Sequence, residues 1–279
     1  MRGFDDFIRT IERVGSFGKN LQNKGNAIAE YSRKSSKIGY TLSSIVENIN
    51  FPDMTNKEIF GGLERLRQGF IETERDIQAF KIIIIELGYP PHEHMDIRTI
   101  RNLVSKYRDG EGVEVDDFDN FMCAYYVSSK LMSISETWER LSFLSERLPI
   151  LRNVIMAHNL GMYGVSVPAL VSQFEGVLVD GYKVKGFVDG RKIATILDDL
   201  LTVKEEQGVW DFNQEIHNYY KENLLVRFEH GKEIESDLSR NGILHGGDKF
   251  FNKEQVSLKA VLLFDYIANK LNENVEKIK

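Results

Sequence analysis

The chain has 279 residues, and 42% of them are apolar, so it can bury a substantial core and is not an intrinsically disordered protein. Its length allows two domains, or one domain with a large extension. The formal net charge of -6 argues against a protein that coats nucleic acid nonspecifically, because such proteins carry a strong basic excess.

The single cysteine and the first residues indicate an intracellular location. Cys123 has no second cysteine with which to form an internal disulfide. Acidic residues (Asp5, Asp6 and Glu12) stand where a signal peptide would have its apolar centre. No apolar run approaches the roughly 20 residues that cross a bilayer. We therefore expect a cytoplasmic protein that makes no membrane contact.

Residues 1–145 are predicted to form a helical accessory or sensor region. Apolar residues at three- and four-residue spacing predict a first amphipathic helix: Phe4, Phe7, Ile8, Ile11 and Val14. Residues 1–40 hold eight Lys or Arg against four acidic residues, which indicates a solvated helix face or, alternatively, a contact with RNA or a partner.

Three further helices are predicted before residue 146. The first opens with a capping-box spacing at Thr55 and Glu58, is interrupted near Gly61, and ends before Pro90. A short helix follows at about 97–107 and a long one at about 118–146.

Residues 146–279 are predicted to form a second helical domain. A helix opened by Pro149 turns at 159–161 into another that begins near Pro168. Residues 182–191 have the pattern of a small β-hairpin or of a loop. Helices are then expected at about 193–205, 211–230 and 252–271, so the fold class predicted for the chain is an all-α multi-helix bundle.

Between the last two of these helices lies the segment with the most chemical potential, residues 239–247. Arg240 offers a planar fork that can hold phosphate oxygens, His245 can move protons near neutral pH, and Asn241 can orient either group. On an ideal helix, residues five apart are about 140° apart around the axis, so Arg240 and His245 need a bend to meet. Gly242 and Gly246 make a bend easy.

These residues carry a family resemblance. Arg240, Asn241, three further residues and His245 match the Arg-Asn-x-x-x-His signature of the HEPN superfamily. More loosely, residues 146–279 resemble bacterial HEPN-like proteins of the toxin and abortive-infection type, while residues 1–145 match no family.

The resemblance implies a function. In catalytic HEPN proteins two chains face each other, and the composite site cuts RNA without a metal or another cofactor, through attack of the ribose 2'-hydroxyl on the adjacent phosphate. His245 would then be the general acid or base, Arg240 would stabilise the developing charge, and Asn241 would orient the site. Glu175 would help to position the arginine or the histidine. The expected partners are an RNA substrate and a second copy of the chain.

Three alternatives stay open. Arg152, Asn153 and His158 also fit the looser family spacing, although a helix-end histidine that satisfies terminal carbonyls is the simpler interpretation there. The chain could instead be a noncatalytic HEPN-like interaction module. It could also be one component of a toxin and antitoxin pair, with an antitoxin or another defence-system protein as its partner.

Overall fold

The computed structural model describes residues 57–110, 113–201, 210–232, 234 and 236–277. In these residues the chain is helical and has no strand, which confirms the all-α prediction. No helix among them is long and apolar enough to cross a membrane. The helix predicted at 4–14, the basic arm at 1–40 and the capping residue Thr55 lie outside the described residues.

Eleven α-helices are described. In chain order they are α1 (Lys57–Glu86), α2 (Ile97–Arg108), α3 (Val115–Tyr125), α4 (Ser128–Trp138), α5 (Leu148–Asn159), α6 (Tyr163–Val171), α7 (Gln173–Gly181), α8 (Gly190–Leu201), α9 (Asn213–Tyr219), α10 (Arg240–Leu244) and α11 (Glu254–Lys277). A 3-10 turn at Ser142–Leu144 precedes α5, and a π turn at Tyr220–Leu224 continues α9.

The chain divides into two compact units. Among the described residues, the first unit contains 57–80, 93–105 and 210–211, and the second contains the rest. The second unit thus includes α3 and α4 as well as the described residues of 146–277 other than 210–211; the proposed boundary at residues 145 and 146 stays a prediction.

In the first unit, polar contacts cap α2 and hold it against α1. Asp96 caps α2, because its carboxylate accepts a hydrogen bond from the backbone amide of Thr99 at 3.0 Å. Arg101 on α2 reaches α1, where it donates to Asp76 at 3.2 Å and to Thr73 at 2.7 Å. These bonds fix α2 against the first part of α1.

Helix α11 forms the centre of the second unit. Its apolar face, with residues at three- and four-residue spacing, is completely buried: Val256, Ala260, Leu263, Phe264, Ile267 and Leu271. The Phe264 ring meets Trp138 of α4 and Phe174 of α7 edge to face, at centroid distances of 5.0 and 5.6 Å. The buried carboxylate of Asp265 accepts a hydrogen bond from the Trp138 indole at 2.7 Å. The core therefore joins α4 and α7 through α11.

The prediction of one long helix at 118–146 is wrong. The chain leaves helical geometry at Tyr126 and Val127 (Val127 ψ 161°), and again after Trp138. The break has a physical reason: it lets Phe118 of α3 and Trp138 of α4 each bury their side chains almost completely.

Two other boundaries also differ. Helix α6 begins at Tyr163 and contains Pro168, whereas the sequence places its start near Pro168; the apolar stripe of Val167, Leu170 and Val171 holds the proline inside the helix. The helix expected at 211–230 gives way to the π turn and ends at Leu224. Residues 182–189 form a loop, one of the two predicted alternatives.

Candidate functional site

The Arg-Asn-x-x-x-His segment forms the short helix α10 and its C-terminal cap. The buried Ser239 is its N-cap, and its hydroxyl accepts a hydrogen bond from the Gly242 amide at 3.2 Å. The helix ends at Leu244, because His245 leaves helical geometry and Gly246 has a φ of +72°. The expected bend thus lies at His245 and Gly246.

Gly242 has a different role from the predicted one. It lies inside α10 with an ordinary φ, so it does not supply the bend. A Cβ at this position would lie 3.1 Å from Ile234 Cδ1 and 3.2 Å from Ser239 Oγ. Gly242 therefore allows the chain before α10 to approach the helix closely.

The Arg240 guanidinium is held by two residues. Its Nη2 pairs with Glu175 Oε2 of α7 at 2.9 Å, and its Nη1 donates to Asn241 Oδ1 at 3.1 Å. The side chains of Arg240 and Glu175 are 26% and 29% exposed, so the pair lies at the surface of the unit while its orientation is fixed. The structure therefore brings together three of the four predicted site residues by direct hydrogen bonds.

His245 is connected to this group only through the backbone. Its amide donates to the carbonyl of Asn241 at 3.0 Å. Its side chain is exposed, and among the described residues it makes no hydrogen bond or ion pair. The imidazole is thus available to a ligand that approaches from outside the unit.

A fifth residue, Tyr220, was not predicted. Its ring is fully buried and meets Phe174, the neighbour of Glu175, edge to face at a centroid distance of 5.7 Å. Burial raises the pKa of Tyr220; the Glu175 carboxylate raises it further, and the Arg240 cation opposes them. The phenol therefore lies within the electrostatic field of the ion pair.

No sequence pattern marks Tyr220 as a site residue, because the chain around it departs from the regular α-helix on which the pattern is based. The residue opens the π turn, in which the Leu225 amide donates to the Tyr220 carbonyl at 3.2 Å. A π turn inserts an extra residue and shifts the phase of the positions after it.

The second Arg-Asn…His segment lies on α5, and the structure does not assemble a site there. Arg152 Nε pairs with Glu139 Oε1 at 2.7 Å on the surface. His158 is buried, and its Nδ1 shares a hydrogen bond with Ser257 Oγ at 2.8 Å. Burial lowers the pKa of His158, although the Glu254 carboxylate opposes the shift. His158 is therefore a core residue.

The chemistry of the Arg240 group suits an anion. The Glu175 carboxylate is already paired with a cation, so it is a poor start for a metal site. The guanidinium and the exposed imidazole are both groups that bind phosphate.

Comparison of the chain with models of protein families, with curated proteins and with solved structures finds no match.

Proposed function

We propose that this protein is a metal-independent endoribonuclease of the HEPN type, which acts in the cytoplasm as a homodimeric toxin or abortive-infection effector in phage defence. The observation that carries the proposal is the Arg240 guanidinium, fixed by Glu175 and Asn241, on a helix whose end presents the exposed His245. No cofactor is required by this chemistry.

The reaction would use both ends of α10. The 2'-hydroxyl of a ribose loses its proton to a histidine and attacks the adjacent phosphorus, and the bond from phosphorus to the 5'-oxygen breaks. A second histidine gives a proton to the leaving 5'-oxygen. The Arg240 fork stabilises the negative charge on the nonbridging oxygens. The products are a 2',3'-cyclic phosphate and a 5'-hydroxyl end.

A homodimer would supply the second histidine. Each chain offers one exposed imidazole in the motif, so a base and an acid require His245 and the partner subunit's His245. Residues 221–260 hold seven Lys or Arg and seven acidic residues, so one chain alone offers no basic groove there.

Exposed apolar side chains near α10 support the association of two copies. Helix α10 packs against α6, and Asn252 lies beside Gly164 of the same helix. Several large apolar side chains on these segments are exposed: Leu160, Met162, Val165, Leu244 and Phe250. Such side chains are expected at an interface. Phe250→Asp should shift the mass in solution from dimer to monomer and lower RNA cleavage with it.

The second candidate is a noncatalytic interaction module, alone or as part of a toxin and antitoxin pair. The same exposed apolar side chains favour it, because they would suit a partner protein equally well. The two candidates differ at His245: an interaction module has no need of an exposed imidazole beside a fixed arginine.

The chemistry of the products tests the proposal. We expect purified protein to cut RNA into fragments that end in 2',3'-cyclic phosphate, and to leave uncut the same RNA with a 2'-deoxyribose at the cleavage position. Arg240→Ala should remove both this cleavage and any growth arrest on expression. Folded, dimeric Arg240→Ala and His245→Ala proteins that cut RNA as the parent does would refute the assignment.

A further inference from the structure

Two buried polar atoms beside the Arg240–Glu175 pair have no hydrogen-bond partner among the described residues. They are the hydroxyl of Tyr220 and the Nε of Arg240. A buried polar group without a partner costs about 1–3 kcal/mol, so such groups are rare in native proteins and call for an explanation. Here two of them occur on residues that share one electrostatic environment.

The position of Tyr220 is set by two structural features. Its ring packs edge to face against Phe174, which precedes Glu175 on α7, so the phenol is fixed next to the segment that holds the arginine. The π turn that starts at Tyr220 shifts the following residues out of the register of α9. π turns are rare in proteins, and many of those that do occur lie at functional sites.

We propose that Tyr220 is a positioning residue for Arg240, and that its hydroxyl, which has no partner among the described residues, binds the Glu175 carboxylate when that carboxylate releases the guanidinium. The inference rests on the proposed function for its catalytic consequence. When a phosphate oxygen binds Nη2, Arg240 weakens its bond to Glu175. The Tyr220 hydroxyl then donates a hydrogen bond to the released carboxylate. Without this bond the carboxylate would be partly buried and unpaired, which is unfavourable.

Variants of two neighbouring tyrosines, Tyr219 and Tyr220, distinguish a positioning role from a role in packing alone. Tyr219 is also buried, but its hydroxyl donates to the carbonyl of Gly88 at 3.0 Å. Tyr219→Phe removes a satisfied hydrogen bond and should lower the melting temperature while cleavage stays at the parental rate. Tyr220→Phe removes an unpartnered hydroxyl and should leave the melting temperature nearly unchanged.

The kinetic test uses a synthetic RNA that the wild-type protein cuts. We expect Tyr220→Phe to lower kcat about ten-fold, the effect of one hydrogen bond lost in the transition state, with KM unchanged. Equal kcat values for Tyr220→Phe and wild type would overturn the inference. If Arg240→Ala also cleaves normally, the proposed function fails as well; if Arg240→Ala is inactive, only the role of Tyr220 fails.

A second measurement does not depend on activity. The melting temperatures of wild type, Tyr220→Phe, Arg240→Met and the double variant form a double-mutant cycle. We expect a departure from additivity of about 2 °C or more, because Arg240→Met releases the Glu175 carboxylate, and the Tyr220 hydroxyl then gains a partner that Tyr220→Phe removes. Additive shifts would overturn the inference. Coupling in a protein that cuts no RNA would support the positioning role and refute the proposed function.

Discussion

Two segments of this chain have nearly the same sequence pattern and opposite structures. On α5, Arg152 pairs with an exposed glutamate and His158 is buried in the core. At α10, the arginine is half-buried and fixed by Glu175, while His245 is exposed. The spacing of arginine and histidine along the sequence therefore does not define a site. What distinguishes the two segments is which side chain is exposed to solvent.

The reason for the difference lies in helix length. Arg152 and His158 belong to one uninterrupted helix of 12 residues, so the helical period turns the histidine inward. Helix α10 has five residues and ends immediately before His245, which frees the imidazole from that period. A short helix with a glycine cap thus leaves the histidine of the motif exposed.

The largest expected effect is a difference in the rate of RNA cleavage between variants of the two arginines. Arg240→Ala should lower RNA cleavage by about 100-fold or more, since the proposed mechanism needs this cation to stabilise the charge on the phosphate. Arg152→Ala should leave cleavage within about two-fold, because its contacts are on the surface. Initial rates on one RNA measure both. Equal losses in the two variants would contradict the assignment.

The next largest effect is a difference in the free energy of unfolding between variants of the two histidines. His158→Ala should lower the free energy of unfolding by about 2–4 kcal/mol, because it leaves a cavity and removes the bond to Ser257. His245→Ala should change it by less than about 0.5 kcal/mol, since the side chain is exposed. Urea unfolding gives both values; a larger loss in His245→Ala than in His158→Ala would contradict the burial of His158.

A smaller effect compares the two glycine caps. Gly161 after α5 and Gly246 after α10 both have a φ of +72°. Alanine at either position should cost about 1 kcal/mol, since a side chain disfavours this conformation. Only Gly246→Ala should also lower cleavage, because it moves His245. Thermal unfolding and cleavage rates of the two variants test this, and lost cleavage in Gly161→Ala alone would contradict it.

The smallest effect is a pH dependence of stability. The pKa of His158 is lowered by burial, so near pH 6.5 the unfolded protein takes up more of a proton at this residue than the folded protein does. Stability should therefore fall as the pH decreases through this range. Compared with His158→Gln, which does not titrate, wild type should lose up to about 0.7 kcal/mol more between pH 7 and pH 6. Parallel curves would show that His158 does not contribute.

The sequence predicts the all-α class and the helix at about 252–271, because the spacing of apolar residues determines both. It also places Arg240 and Asn241 together, since they are neighbours, and suggests Glu175 through the resemblance. It does not predict the break at Val127, the proline inside α6 or the π turn at Tyr220, because tertiary packing decides them.

The most direct test is cleavage of total cellular RNA by purified wild-type protein and by His245→Ala, both in EDTA, with Arg152→Ala as the folded control. We predict that wild type and Arg152→Ala cut RNA in the chelator and that His245→Ala does not. Undiminished cleavage by His245→Ala, or cleavage in wild type that EDTA abolishes, would contradict the metal-independent site at α10.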